Sequence, residues 1–189
     1  SLHFISGLPA SGKSSTIRAI LGDPAGQRFG VIQNIRGIDA IDPDHFPGHR
    51  IELIRSTSCP CCEVYIFFYA SLMVLLKEAQ LDSIFVELGP EADILQLKSM
   101  LEVSPLWQEL KWGRSMIAFD VRDRRFRPYA VMPSVNRMIE QADILLMRFS
   151  DLALPADFDH YYSHLATHKP CLIMKPDSNL SEFWNMLNG

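Results

Sequence analysis

The stretch "GLPASGKSS", residues 7 to 15, satisfies the pattern G-x-x-x-x-G-K-S/T at Gly7, Gly12, Lys13 and Ser14. Residues of these types at this spacing can hold phosphate. Glycines let successive backbone amides turn inward around an anion, and the positive end of a following helix adds to the attraction. Gly7, Leu8, Pro9, Ala10, Ser11, Gly12, Lys13, Ser14 and Ser15 are therefore the expected phosphate cradle. Lys13 would reach the β- and γ-phosphates as a point charge, and the Ser14 hydroxyl would face a Mg²⁺ ion. An apolar run precedes the motif and a helical pattern follows it, which is the context the motif requires.

Such a site also needs an acid at the tip of a neighbouring strand, near the metal and the attacking water. "SIFVELGP" offers Glu87 and "MIAFDVRD" offers Asp120, each at the end of an apolar run. Lys13, Glu87 and Asp120 are the candidate catalytic residues, with Glu87 ahead of Asp120. Ser14 and Glu87 are the candidate Mg²⁺ ligands.

A second cluster lies in "STSCPCCEV", residues 56 to 64, where Cys59, Cys61 and Cys62 crowd together in a chain of four cysteines. Neighbours this close strain a disulfide. The remaining readings are a soft-metal site and three buried thiols, and the polar, proline-containing surroundings favour the metal.

Both clusters need elements to carry them. Strands are expected at Leu2–Ser6, Phe29–Asn34, Arg50–Ile54, Ser83–Glu87, Ser115–Asp120, Asp143–Met147 and Cys171–Met174. Most are unbroken apolar runs, as strands covered on both faces should be. Helices are expected at Lys13–Leu21, Glu63–Gln80, Glu91–Leu101, Ser134–Gln141, Phe158–Thr167 and Ser181–Leu187. The alternation predicts an α/β fold of three layers, a mostly parallel sheet with helices on both faces. Ligands in such sheets sit beyond the carboxyl ends of the strands. Ile35–His49 is the longest irregular stretch, expected to be mobile.

The 189 residues suit one domain with a full core, residues 1–189. A formal charge of −4 argues against a nucleic-acid partner. No apolar run reaches the ~18 residues of a membrane span, and no signal peptide opens the chain. The chain begins at Ser1, which fits a processed or engineered start, and the cytoplasm is the default compartment.

Taken together, the amino-terminal phosphate motif, Cys-x-Cys-Cys after the third strand, the acid-x-Gly strand end and "EQADILLMRFSDL" resemble the CobW/HypB/UreG family of P-loop GTPases. "IELIRSTSCPCCE" is most similar to the CobW-like branch. The resemblance covers Phe4 to about Asp151, and the carboxy-terminal domain of larger CobW proteins is not expected here. It implies a GTPase that couples nucleotide binding and hydrolysis to zinc, cobalt or nickel handling, or to metallocentre assembly. Cys59, Cys61 and Cys62 would then be a three-thiolate site with an open fourth position, suited to Zn²⁺. Glu63 would begin a helix whose positive end favours the thiolates.

Two segments depart from the family. The guanine-reading Asn-Lys-x-Asp is here Arg148, Phe149, Ser150 and Asp151. Asp151 can still accept from guanine, and Phe149 or Arg148 could stack on a base, which leaves GTP and ATP both open. In "VIQNIRGIDAID", Ile35 and Ile38 replace the family's acids, so a carboxylate ligand from this segment would have to come from Asp39, Asp42 or Asp44. His45 and His49 could complete a mixed metal site but are more simply loop residues. His160, His164 and His168 line one helix face, read as solvated. Cys171 reads as a core thiol, Arg122, Arg124, Arg125 and Arg127 as a solvated basic loop, and Trp107 and Trp112 as packing anchors.

Two other readings stay open: a P-loop kinase for a small acceptor, and a catalytically inert, zinc-stabilised interaction module. The expected partners are a nucleotide and a metalloprotein client. The oligomeric state is open, with a homodimer among the options.

Overall fold

The computed structural model describes residues 1–35, 39–55, 65–78, 80–122, 133–149, 152, 158–159, 162, 166, 169–174 and 180–188. Among these residues, seven strands form one all-parallel sheet: β1 (Leu2–Ser6), β2 (Phe29–Ile35), β3 (Arg50–Arg55), β4 (Ser83–Glu87), β5 (Trp112–Asp120), β6 (Ile144–Arg148) and β7 (Cys171–Met174). Their order is β3-β2-β4-β1-β5-β6-β7. Among the described residues, five helices alternate with them: α1 (Lys13–Gly22), α2 (Tyr65–Lys77), α3 (Ile94–Glu102), α4 (Pro133–Gln141) and α5 (Ser181–Asn188). The three-layer α/β arrangement expected from the sequence is the observed one.

The unbroken apolar runs now have a physical reason. Successive side chains of a strand point to opposite faces, and here both faces are covered. Ile5, Met116, Ala118, Ile144 and Leu146 join Ile17 and Ile20 of α1 and Phe183 of α5 in one core. Phe4 and Val86 pack with Phe68 and Leu72 of α2 and Leu97 of α3 on the other face. Ile117, Phe119, Leu145 and Met147 meet Val135 and Met138 of α4 on that second side. Central β1 is buried along its whole length, so its end carries the phosphate motif from a fixed point.

The boundaries differ by three residues at three places. β5 begins at Trp112, three residues before the expected Ser115, because its early residues still pair with β1 (Leu2 opposite Trp112). α3 begins at Ile94 and not Glu91, since Asp93 caps it by accepting the Gln96 amide at 3.1 Å. α2 ends at Lys77, short of Gln80. Of the expected Phe158–Thr167 helix, most residues lie outside the described set.

Within the long irregular stretch, residues 39–49 are anchored at several points. Ile41 is fully buried in the α1 core. Arg18 of α1 donates to Asp39 and to the Ala40 carbonyl. His49 accepts the Phe29 amide at 3.0 Å through Nδ1 and stacks on the Phe29 ring, centroids 5.4 Å apart.

Candidate functional site

The phosphate motif leaves β1 at Ser6 and enters α1 at Lys13. The turn is tight enough to require glycine at its start. A Cβ on Gly7, at φ +150°, would lie 2.2 Å from the Ala118 carbonyl oxygen of β5. Gly12, the residue before the helix, adopts φ +92°. Unlike α3, α1 has no side-chain cap at this end and no acid in its first turn. Its first amides therefore stay available to an anion, in the field of the positive helix end.

Beyond the ends of β1 and β4 lies a cavity of about 220 Å³, lined among others by Lys13, Ser14, Gln33, Asp39, Glu87 and Glu91. Lys13 curls back over the loop and donates to the Gly7 and Leu8 carbonyls at 3.0 and 2.9 Å. Burial lowers its pKa, and the charges of Glu87, Glu91 and Asp39 oppose that shift. Ser14 donates its hydroxyl to Glu87 Oε1 at 2.9 Å. Burial raises the Glu87 pKa, against the pull of Lys13 and of the hydrogen bonds from Ser14 and Gln33. A carboxylate pressed into a dry wall beside a hydroxyl has a charge to share with a cation. Both donors are hard oxygens, so the pair fits Mg²⁺ and not a thiophilic ion.

Gln33, which the motifs did not single out, completes the arrangement. Its amide donates to Glu87 Oε2 at 2.9 Å and to the Asp39 carbonyl at 3.1 Å. Its Oε1 accepts the Ile41 amide at 2.8 Å. The signal in the sequence was a pair of amide side chains, Gln33 and Asn34, inside the otherwise apolar run "FGVIQNI" of a strand covered on both faces.

Asp120 is not brought to this cavity. It ends β5, on the far side of β1 from β4, and accepts the Arg122 side chain at 2.8 and 2.6 Å. Arg148, at the end of β6, is buried beside the start of α1, where a Cβ on Gly12 would come within 3.2 Å of its side chain. Phe149 follows at φ +61°, with the Arg122 guanidinium 4.4 Å from its ring centre and that of Arg148 at 5.7 Å. Asp151 lies outside the described residues.

So do Cys59, Cys61 and Cys62, as well as His160, His164 and His168. Among the described residues, no group of three His, Cys, Asp or Glu side chains is placed to hold a metal ion. His49 is committed to Phe29, and His45 is exposed beside Asp42. Cys171 is half-buried, its thiol pushed up to about 11 by burial. Trp107 and Trp112 meet with ring centres 5.8 Å apart. Leu88, the middle residue of the acid-x-Gly strand end, is fully buried in the α2–α3 core.

The chain matches the family model "CobW/HypB/UreG, nucleotide-binding domain" over residues 1–171. It belongs to the CobW/HypB/UreG family. Solved structures agree with this family fold. HypB from Helicobacter pylori in complex with nickel is 13% identical with a TM-score of 0.66, covering 99% of this chain and 85% of that one. HypB from Archaeoglobus fulgidus is 16% identical at a TM-score of 0.64, covering 100% and 88%. Zn(II)-bound YjiA GTPase from E. coli is 19% identical at 0.63, covering 92% of this chain. This CobW/HypB/UreG chain spans 56% of the YjiA chain's length. No curated protein matches it in sequence. Among the described residues, no helix is long and apolar enough to cross a membrane.

Proposed function

We propose that the chain binds a purine nucleoside triphosphate with Mg²⁺ and hydrolyses it, coupling nucleotide state to the handling of a soft metal ion. The observation that carries the reading is the meeting of Lys13, Ser14 and Glu87 at one cavity beside an uncapped helix start. The amides of residues 7–15 and the Lys13 ammonium bind the phosphates, Lys13 exchanging its two loop carbonyls for phosphate oxygens. Ser14 and Glu87 hold Mg²⁺, which neutralises charge building on the transferred phosphoryl group. Glu87 also orients water at the edge of the cavity. GTP is the nucleotide that family membership favours. Arg148 and Phe149 at the base-reading segment make ATP a direct competitor.

Cys59, Cys61 and Cys62 provide the soft-metal end, with Zn²⁺ as the ion that thiolates prefer. The nickel bound by HypB from Helicobacter pylori and the zinc bound by YjiA from E. coli support a metal-handling role. A metalloprotein client would receive the ion.

Hydrolysis of GTP and ATP by the purified chain, with Zn²⁺ affinity measured in the presence and absence of a non-hydrolysable analogue, tests the reading. Turnover with Mg²⁺, and a Zn²⁺ affinity that changes with the analogue, is expected. Identical Zn²⁺ affinities would remove the coupling, because linkage must be reciprocal.

A further inference from the structure

The tips of β5 and β6 carry a second group of side chains, on the other side of β1 from Glu87. Register sets Asp120 opposite Arg148, and the Val121 amide donates to the Arg148 carbonyl at 3.2 Å. The two tips therefore stay joined beyond their last residues. Asp120 takes the Arg122 side chain as a fork, Nε on Oδ1 at 2.8 Å and Nη2 on Oδ2 at 2.6 Å. The Arg122 amide adds a third bond to Oδ1 at 2.9 Å. A two-pronged pairing of this kind fixes the orientation of a guanidinium as well as its place. The guanidinium carbon lies over the Phe149 ring, 4.4 Å from its centre.

Phe149 sits at φ +61°, a left-handed conformation that costs any residue with a Cβ. Strain held in place by its surroundings points to a task for the strained residue. Arg122 meets the ring from the tip of β5, and Arg148, 5.7 Å from the ring centre, from the tip of β6. The ring is half-buried and the Arg122 side chain is 44% exposed, so the stack can be reached from solvent. It also adjoins the cradle, since a Cβ on Gly12 would come within 3.2 Å of the Arg148 side chain. Glu87, Glu91 and Asp39 line the cavity on the β4 side, where Mg²⁺ and the terminal phosphates belong. A nucleotide held that way sends its nucleoside past Gly12 toward β6. What it meets there is a face and not an edge. Both Asp120 oxygens are engaged by Arg122, which leaves this acid poorly placed to read the N–H donors of guanine. Aromatic and guanidinium surfaces accept any base by its π-face.

We infer that Arg122 and Phe149, oriented by Asp120, form a base-stacking platform that sets the substrate class: purine nucleoside triphosphates taken without discrimination between guanine and adenine. The platform presupposes the nucleotide-binding reading and extends it to the base. Asp120 is then a positioning residue, acting through Arg122.

Isothermal titration of the full chain with GTP, ATP and inorganic tripolyphosphate, all with Mg²⁺, separates the base from the phosphates. GTP and ATP are expected to bind within about fivefold of each other, and tripolyphosphate at least about tenfold more weakly than either. Phe149→Gly removes the ring and leaves a residue at ease at φ +61°. It should weaken GTP and ATP alike, by about tenfold, and leave tripolyphosphate unchanged, which a merely structural role for the ring would not do. Asp120→Asn, which loosens the fork, should weaken both nucleotides by about threefold and again spare tripolyphosphate. A preference above about fivefold between GTP and ATP would overturn the inference, because it requires reading of base edges. Tripolyphosphate binding within about tenfold of the nucleotides would overturn it too, whether or not Phe149→Gly folds. Unchanged GTP and ATP affinity in a folded Phe149→Gly would do the same. Binding of none of the three by the parent chain would overturn the nucleotide-binding reading, and the platform with it.

Discussion

Ser14 Oγ and Glu87 Oε1 lie 2.9 Å apart across a sequence separation of 73 residues. The sheet order makes this meeting possible. β1 and β4 are parallel neighbours with Ile5 opposite Glu87, so the loop leaving β1 and the last residue of β4 emerge side by side. The hydroxyl needed for a cation and the acid needed beside it are thus fixed by strand register, with no loop rearrangement.

Lys13→Ala should weaken nucleotide binding by about 100-fold or more, because the β- and γ-phosphates lose the charge of the Lys13 ammonium. Its fold should be nearly unaffected. The side chain's hydrogen bonds go only to loop carbonyls, and its burial is itself unfavourable to the charge. Fluorescent-nucleotide titration beside thermal melting separates the two effects.

Glu87→Gln keeps the volume of the side chain and removes the charge. One end of the new amide must then set a donor against Ser14 Oγ or Gln33 Nε2. Mg²⁺-dependent binding should fall by about tenfold or more, while binding measured in EDTA changes little. Isothermal titration in the two buffers is the check.

Replacing Cys59, Cys61 and Cys62 by serine should lower Zn²⁺ affinity by about 100-fold or more, since a hydroxyl is a poor ligand for a thiophilic ion. Nucleotide affinity in metal-free buffer should stay within a few-fold of the parent. Competition against a chromophoric zinc chelator reads the first quantity. An unchanged Zn²⁺ affinity would remove the cysteines from the account.

A pH dependence follows from His3 in the middle of the sheet. Its ring is buried, stacks on Phe85 at 5.1 Å and accepts the Arg114 amide at 2.9 Å. Burial, with the positive charges of the amino terminus and Arg114, lowers its pKa from 6.5 to about 4. Above pH 6.5 the ring is neutral in both folded and unfolded chains and contributes no slope. Between pH 6.5 and 4 the unfolded chain takes up a proton that the folded chain refuses, so stability falls as the pH drops. The loss is at most about 3 kcal/mol. Urea unfolding across this range should show the decline, and His3→Gln should flatten it.

Much of this was readable in the chain. The strands were legible because burial on both faces leaves apolar runs such as "IFV" and "ILLM", bounded by polar residues. The cradle was legible because its chemistry demands glycine, lysine and serine at set places. Glu87 was visible as an acid at a strand tip, and register makes it the partner of Ser14. Asp120 carried the same local signal, yet strand order puts it beyond β1 and Arg122 occupies it. Position in the sheet, which adjacent residues do not encode, separates the two acids. Gln33 escaped notice for a related reason, since its partners lie 6, 8 and 54 residues away. The early start of β5 depends likewise on pairing with β1, to which the glycine and polar residues at 113–115 give no clue.

The most direct test of the cradle is equilibrium binding of labelled GTP and ATP to metal-defined protein, with Mg²⁺ and with EDTA. Saturable binding in the micromolar range, strengthened by Mg²⁺ and abolished in Lys13→Ala, is the predicted result. Failure of either nucleotide to saturate below about millimolar concentration, with the parent chain shown to be folded, would contradict it.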